Sequence, residues 1–385
     1  MEILKAIALL TTIVSMFILI AGMFVNIKAG RIYRVLVLLL AAAMSVFAYT
    51  FEPGRGLDLY RLQQYVNSLR ISGYNFFQAL FNAEGTLVGT STAGMISFNL
   101  LCMVVRWLGD VHWLSTLSVL ISMGILTSLV VDFAISEGYS SRAIGWGIFL
   151  TFIGLQLQYV FSGVRNAMAV SYTLLGLYLL LYKNRRWIFP GILFLLAVTM
   201  HPIVLIIVPP VLLPKCKRQT ALRLAALLAI PCIYMLAQLL VNVPVGFIQY
   251  AVSRIAFFED TGYQFDRPEM IADILIFIAT ALAYWYLGRT GKIDMQGKFG
   301  IFYKNAYMLL GFIMLGCVVK RDFILRIGYI MGIASVPLVS KMLFAVKNAD
   351  TTTNLIRVLL VVTLLACGAK VYYDTALAFS SFSFA

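Results

Sequence analysis

The sequence predicts an all-α, polytopic membrane protein. Of its 385 residues, 62% are hydrophobic and only 12% are charged, a far more apolar composition than soluble domains have. Apolar runs of about 17 residues or more recur, without the alternation that marks a membrane β-barrel. Lysines and arginines sit in short turns between these runs. The net charge of +14 therefore indicates the charge bias of membrane proteins rather than nucleic-acid binding.

About ten apolar segments are long enough to cross a bilayer core of roughly 30 Å. They cover residues 6–26, 32–50, 113–135, 143–162, 166–182, 221–241, 271–287, 301–319, 323–344 and 354–373. The main basic turns then fall on one side of the membrane, which the positive-inside bias makes cytoplasmic. They are 28–34, 183–186, 215–223 and 289–304. We therefore expect a single integral membrane domain over residues 1–385, with both termini outside.

Two segments do not fit a simple span. Residues 95–108 are too short and include Asn99 and Arg106, which predicts a helix at the outer interface. Residues 187–213 are interrupted by proline after His201 and carry basic residues at both ends, which favours a broken or re-entrant hairpin. Such a break at membrane depth is tolerated where protein or a water-filled cavity surrounds it. Two polar stretches, about 51–94 and 242–270, are the predicted outer loops.

Arg165 and His201 are the candidate catalytic residues. Arg165 begins an apolar helix, where a cation is unfavourable, so an anionic ligand or a distant carboxylate is expected beside it. A helix from Arg165 to Lys183 rises about 27 Å, and a helix from Trp187 to His201 runs about 21 Å back in the opposite direction. His201 thus comes back near the depth of Arg165, where its imidazole suits a general base. The alternative for Arg165 is an interfacial anchor that reaches the lipid headgroups. The alternative for His201 is a structural histidine that hydrogen-bonds backbone groups exposed at the kink.

A second cationic group lies on a predicted outer turn, where positive charge is not expected. It contains Lys320, Arg321 and Arg326. Guanidinium groups bind phosphate through two parallel hydrogen bonds, so this turn predicts an anion-binding site. The alternative for Arg326 is simple helix support from Asp322, one helical turn earlier.

The first outer loop contains a possible sugar-binding run with Asp58, Tyr60, Arg61 and Tyr65. Acidic and aromatic side chains together are common in sugar recognition, although a solvated amphipathic helix has the same pattern. His112, beside Asp110, is interpreted as part of a capped interfacial turn.

Asp132 and Asp273 lie in or at the ends of spans, and one of them is a possible partner for an arginine. No glycine-rich phosphate loop, zinc spacing or paired-aspartate metal motif is present in the sequence. We therefore expect neither a cofactor nor a metal.

These motifs, taken in order, resemble the EpsG-like branch of the Wzy polysaccharide polymerases. The resemblance rests on Asp58 and Tyr60 in an outer loop, the run 165–169 (RNAMA) at a helix head, His201 near a helix break and the late run 326–329 (RIGY). It covers about residues 50 to 340. It implies a transferase of the bacterial inner membrane that joins oligosaccharide repeat units carried on undecaprenyl diphosphate, with its active site facing the periplasm or exterior.

The resemblance also implies roles and partners. Arg165, Arg321 and Arg326 would hold the donor diphosphate, with Lys320 and Asn166 beside them, and His201 would activate the acceptor hydroxyl. The lipid-linked oligosaccharide would be both donor and acceptor, and the other partners would be the bilayer and, where one exists, a chain-length regulator protein. Two alternatives stay open: an O-antigen ligase, and a flippase or other transporter of lipid-linked oligosaccharide.

Overall fold

A computed structural model describes residues 2–24, 30–53, 58–81, 95–154, 157–201, 204, 219–240, 267–294, 300, 307–316, 321–344, 346 and 349–380. Every regular element in these ranges is a helix, which confirms the all-α prediction. The first eight are α1 Glu2–Phe24, α2 Gly30–Tyr49, α3 Asp58–Ile71, α4 Phe76–Phe81, α5 Ile96–Leu108, α6 Trp113–Ser136, α7 Ser141–Gly154 and α8 Leu157–Ser162. The others are α9 Val164–Leu177, a π-helix Tyr178–Tyr182 that continues it, α10 Ile188–Met200, α11 Gln219–Leu240, α12 Arg267–Arg289, α13 Met308–Gly316, α14 Arg321–Phe344 and α15 Thr351–Ser380.

The helices identify a polytopic membrane protein, as predicted. Within the described ranges, four helical segments are long and apolar enough to span a bilayer: Gly30–Tyr49, Trp113–Ser136, Val164–Tyr182 and Ile271–Arg289. Shorter apolar helical segments cover Ala6–Gly22, Ile96–Leu108, Ile188–Met200 and Thr351–Cys367. The predicted span 143–162 is made by α7 and α8 in succession, and the predicted span 301–319 is described only in part, as α13.

Charged side chains gather at one end of the bundle, which we call the Asp132 end. The Asp132 carboxylate contacts Arg34 of α2 at 3.2 Å and Lys183, just after the π-helix, at 2.9 Å. Glu137 lies 3.8 Å from Lys341 near the end of α14. The start of α2 and the ends of α6, the π-helix and α14 therefore meet here, as the predicted topology requires.

The opposite end, which we call the Arg165 end, is where α2 finishes and α6 and α9 begin. The Ser115 hydroxyl of α6 donates a 2.7 Å hydrogen bond to the carbonyl of Ala48 on α2. Ser118, one turn further along α6, reaches the carbonyl of Val164 at the start of α9. These bonds place the starts of α6 and α9 beside the end of α2.

The core is continuous between the two ends and is centred on α6. This helix packs along α2, α7 and α9, and α9 packs in turn on α10. A second group of helices, α12, α14 and α15, joins the first where α7 contacts α14 and α15. Val119, Met123 and Leu126 of α6 are completely buried.

Helix α5 lies across the Arg165 end instead of crossing the membrane. Its first turn packs near the start of α9, and its last turn closes at Gly109, whose φ of 83° is the left-handed conformation favoured at helix C-termini. The chain then turns directly into α6, so both ends of α5 are at the same end of the bundle. Helices α3 and α4 pack on its surface. This arrangement is the predicted interfacial helix.

The predicted break after α10 begins where expected. Helix α10 ends at Met200, and His201 has extended backbone angles, φ −154° and ψ 118°, which the following proline favours. Most of the predicted hairpin after His201, residues 202–203 and 205–218, is outside the described ranges. The same holds for the second predicted outer loop up to residue 266.

Candidate functional site

Arg165 lies at the head of α9, where it touches the first turn of α5. Its Nη1 donates to the Met95 sulfur at 3.7 Å, and its guanidinium carbon lies 5.4 Å from the centre of the Phe98 ring. The second contact is a cation–π interaction, which stabilises a guanidinium most strongly where water is partly excluded. Arg165 is half-buried. The guanidinium is therefore held at the junction of two helices.

Both helices at this junction begin without a side-chain cap. The N-cap residues are Met95 for α5 and Gly163 for α9, and neither offers a capping hydrogen bond. No acidic residue stands in the first turn of either helix. An uncapped helix start presents free N–H groups and the positive end of the helix dipole, both of which attract anions. Two such starts and a guanidinium together are features that attract an anion.

Asn166 follows Arg165 and adds a polar atom to this region. Its side-chain oxygen is buried and accepts no hydrogen bond from the residues that the structure describes. A buried acceptor without a donor costs about 1–3 kcal/mol, so such groups in native proteins call for an explanation. A hydroxyl of a bound ligand would supply the missing donor.

The structure brings His201 to the same end of the bundle as Arg165. Helix α10 packs against α9, and the two run in opposite directions because only the short turn at residues 183–187 connects them. The Thr199 and Ser97 hydroxyls, 2.6 Å apart, fasten the last turn of α10 to the first turn of α5. His201 is half-buried. The first turn of α5 thus touches both the helix that carries Arg165 and the helix that carries His201.

The predicted sugar-binding run forms α3, which packs on the other side of α5. Tyr65 stacks on Phe98 with ring centres 5.9 Å apart, and its hydroxyl donates to the Asn99 side chain at 3.2 Å. Since Phe98 also contacts Arg165, two aromatic rings link α3 to the guanidinium. The three candidates on α3, Asp58, Tyr60 and Arg61, are all half-buried near its start.

Two of the remaining predicted cations, Arg321 and Arg326, are on α14. This helix starts at Arg321 and finishes at the Asp132 end, where Lys341 approaches Glu137, so its start lies toward the Arg165 end. It also contacts α9. Lys320 and the side chains of Arg321 and Arg326 are outside the described part of the chain.

Sequence reasoning missed a polar cluster next to this region, in which His112 joins two loops. Its Nδ1 lies 2.7 Å from Asp110 and its Nε2 lies 3.0 Å from Glu52, while the Tyr49 hydroxyl donates to Asp110 at 2.6 Å. Burial alone would lower the pKa of His112, but the hydrogen bonds to Asp110 and Glu52 outweigh it and raise this pKa. The Asp110 carboxylate also accepts the backbone N–H of His112, which is the capped turn that the sequence indicated.

Asp132 proves to be an arginine partner, but for Arg34 at the opposite end and not for Arg165. It also accepts the Tyr178 hydroxyl at 2.7 Å. Among the residues that the structure describes, no group of three or more His, Cys, Asp or Glu side chains could hold a metal ion.

The sequence matches the EpsG family over residues 35–384, which is nearly the whole chain and includes every candidate site residue. The chain belongs to the EpsG family. No curated protein and no solved structure matches it. Membership of the EpsG family makes it a membrane protein of the polysaccharide-polymerase type.

Proposed function

We propose that this EpsG-family protein is a Wzy-type glycosyltransferase that polymerises oligosaccharide repeat units carried on undecaprenyl diphosphate. The observation that carries the proposal is the position of Arg165, between two uncapped helix starts at one end of the bundle. A diphosphate has the negative charge and the oxygen acceptors that such a place attracts. Each repeat unit would be a donor while it holds the growing chain and an acceptor when it receives that chain.

The proposed reaction is a displacement at the anomeric carbon of the donor. An acceptor hydroxyl oxygen attacks this carbon as the bond to the diphosphate oxygen breaks, and the bonding electrons leave with the diphosphate. Arg165 and the three later cations, Lys320, Arg321 and Arg326, would stabilise the charge on the leaving group without a metal. His201 would take the proton of the acceptor hydroxyl.

The sugars would be held around this reaction centre. Asn166 offers its buried oxygen to a sugar hydroxyl, and Asp58, Tyr60 and Arg61 would contact the glycan from α3. These residues are on two elements that meet at α5, so a glycan lying along α5 would reach both.

The proposed orientation places the Arg165 end outside the bacterial inner membrane. Basic side chains at the Asp132 end include Arg31, Arg34, Lys183, Arg185, Arg186, Arg289, Lys292 and Lys341. The positive-inside rule favours a cytoplasmic location for such a surface. The active site would then face the periplasm or exterior.

Arg165→Ala tests the proposal. We expect the variant to insert and fold normally but to make no long glycan chains, since the leaving diphosphate loses its cation; a single removed electrostatic contact of this kind costs about 100- to 1000-fold in rate. The measurement is the chain-length distribution of glycan in cells that carry the variant as their only copy. Wild-type chain lengths would show that Arg165 is only an interfacial anchor and would contradict the assignment.

Arg106→Ala is the matched control for that experiment. Arg106 is also an arginine at the Arg165 end, but it donates to the carbonyl of Tyr74 and lies at the far end of α5. We expect it to leave chain length unchanged. Elongation of glycan by the purified protein in detergent, without a sealed membrane, would separate a polymerase from a flippase. A lack of such elongation, with single repeat units still crossing the membrane, would favour transport.

A further inference from the structure

Gln63 of α3 has a buried side-chain amide whose N–H groups have no acceptor. Only 8% of the residue is exposed, and its Nε2 donates to none of the residues that the structure describes. An unpaired buried donor lowers stability, and such groups in native proteins call for an explanation. The proposed reaction does not use Gln63, so its position needs another reason.

Arg70, two helical turns further along α3, presents a second unpaired donor. Its Nη2 is buried and, within the described ranges, has no acceptor, while its Nη1 donates to the exposed Asn67 side chain at 3.4 Å. A cation in the last turn of a helix interacts favourably with the helix dipole. That interaction accounts for the charge of Arg70 but not for its buried N–H group. A ligand rich in acceptors would account for the unpaired donors of both residues.

These side chains belong to one polar stripe of α3. Tyr60, Gln63, Asn67 and Arg70 follow one another at intervals of three, four and three residues, which places them on one face of the helix. We call this face the Gln63 stripe, and it runs for about 15 Å. It combines an aromatic ring with amide and guanidinium donors. Such a surface suits a glycan, whose sugars present apolar ring faces and many oxygen acceptors.

The Gln63 stripe is turned away from the junction at Arg165. The ring of Tyr65 connects α3 to that junction through α5. Tyr65 is two residues from Gln63 and therefore lies about 160° around the helix from it. Asp58 and Arg61 share the face of Tyr65, since they precede it by seven and four residues. Helix α3 thus has one polar face toward the reaction centre and another on its far side.

The exposed surface beside the Gln63 stripe is polar, as expected for a surface in water rather than in lipid. Gln64, Asn67 and Ser68 are all exposed. Asn67 neighbours both Gln63 and Arg70 on the helix surface, so the two unpaired groups lie at the border of this exposed surface. A change of side-chain rotamer is enough to carry their N–H groups to a ligand in water.

We propose that the Gln63 stripe is a second glycan-binding site, which holds the part of the growing chain that has left the reaction centre. The proposal rests on the function proposed above. Asp58 and Arg61 contact sugars at the reaction centre, whereas Tyr60 contacts chain that is already made. A chain held at two places dissociates less readily, which favours another round of addition. The stripe therefore increases chain length without taking part in the first coupling.

Gln63→Leu tests this site in the purified full-length protein. The change removes both polar side-chain atoms and keeps a side chain of similar size. We expect two single lipid-linked units to be coupled at the wild-type rate, while the average chain length falls. Inhibition of elongation by wild-type glycan freed of its lipid diphosphate should weaken about three- to tenfold, the effect of one lost hydrogen bond.

The stability of the same variant separates glycan binding from a structural role. If the amide is unpaired until a glycan binds, leucine removes the cost of burying it. The temperature of unfolding in detergent should therefore be unchanged or higher. A lower temperature of unfolding together with wild-type chain length would make Gln63 a structural residue and overturn the proposal.

Gln64→Leu is the matched control, because it is the same substitution in the same helix. Gln64 is exposed and lies about 100° from Gln63 around the helix. We expect wild-type chain length and wild-type inhibition by the freed glycan. Equal shortening by Gln64→Leu would show an effect of added apolar surface on α3 and would count against the Gln63 stripe.

Arg70→Met keeps the proposal testable if Gln63→Leu does not fold. It keeps most of the side-chain stem and removes the guanidinium donors, so inhibition by the freed glycan should weaken about tenfold or more. Wild-type inhibition and chain length in this variant would overturn the proposal. A lower temperature of unfolding only in nanodiscs that contain phosphatidylglycerol would then identify lipid headgroups as the ligand. The proposed polymerase would still stand as long as Arg165→Ala abolishes long chains.

Discussion

At the scale of single residues, His112 ties together two loop segments at the Arg165 end. One ring nitrogen faces Asp110, in the turn between α5 and α6, and the other faces Glu52, just after α2. Both carboxylates are substantially exposed, 38% for Asp110 and 48% for Glu52, so water weakens each pair. The tie is therefore a modest contribution to stability whose strength depends on protonation of the ring.

The pH dependence of the free energy of unfolding should reflect the contacts of His112 with Asp110 and Glu52. The pKa of His112 is raised in the folded protein, so its contribution is complete below the ordinary histidine pKa of about 6.5 and is lost as pH rises through the folded value. We expect the wild-type protein to lose up to about 1 kcal/mol between about pH 6 and pH 8, and His112→Asn to lose less. Thermal unfolding in detergent across this range is the measurement, and equal pH dependence in both proteins would contradict the prediction.

The hydroxyl pair of Ser97 and Thr199 gives a second prediction at this scale. It is the side-chain bond that fastens α10 to α5 beside Arg165. Thr199→Val should lower the free energy of unfolding by about 1 kcal/mol and should reduce glycan elongation, because α10 also positions His201. Thr12→Val is the control, since in the described part of the chain the Thr12 hydroxyl donates within its own helix, to the Ala8 carbonyl. A similar loss of elongation in both variants would show that the bond to α5 is not what matters.

At the scale of elements, the π-helix explains how α9 is joined to α6. Tyr178 and Tyr182 stack with ring centres 5.1 Å apart, and their hydroxyls donate to Asp132 and Glu137. Lys183 lies over both rings, 5.6 and 5.8 Å from their centres. The wide turn of the π-helix thus lets two tyrosines and a lysine from one helical segment reach Asp132 on α6 and Glu137 just after it.

Asp132→Asn should disrupt this junction. Asp132 is approached by Arg34, Lys183 and the Tyr178 hydroxyl, so its loss affects three contacts at once. We expect a decrease of about 2 kcal/mol in the free energy of unfolding, most of it from the hydrogen bonds to a charged acceptor.

Asp350→Asn is the control for this element. Asp350 is exposed, and its main charged contact is Lys292 at 2.7 Å. Hydrogen bonds from Lys292 and Thr353 lower the pKa of Asp350, so its contribution persists above the ordinary aspartate range and disappears on acidification. We expect a decrease well below that of Asp132→Asn at neutral pH, measured by thermal unfolding. Equal decreases would show that the Asp132 contacts do not act together.

At the scale of the whole molecule, the two ends of the bundle should lie on opposite sides of the membrane. Asn75, in the turn between α3 and α4, and Arg186, in the turn before α10, are both exposed. With the native cysteines replaced, Asn75→Cys in intact cells whose outer membrane has been made permeable should react with a membrane-impermeant thiol reagent, and Arg186→Cys should react only after lysis. The reverse labelling would place the Arg165 end in the cytoplasm and contradict the proposed orientation.

Much of this architecture was predictable because long apolar runs and basic turns are local signals. Helix identity, the short interfacial helix, the end of α10 before Pro202 and the gathering of basic turns at one end all follow from them. The contact of Arg165 with Met95 was not predictable, because the two residues are 70 positions apart and no periodicity links them. The approach of Asp273 to Gly328 is likewise a property of two packed helices, and a lone glycine in an apolar run does not reveal it.

The π-helix has a consequence for which sequence changes this protein can accept. Its backbone bond from the Lys183 N–H to the Tyr178 carbonyl spans five residues, one more than in an α-helix. A π-turn accommodates one extra residue while the chain on either side keeps its helical phase, so deleting Leu180 would restore ordinary α-helical bonding and leave Lys183 facing Asp132. A deletion in the α-helical part of α9 would instead rotate the chain beyond it by about 100°. The π-turn is therefore the position in this helix where the number of residues can change by one with the least displacement of Lys183.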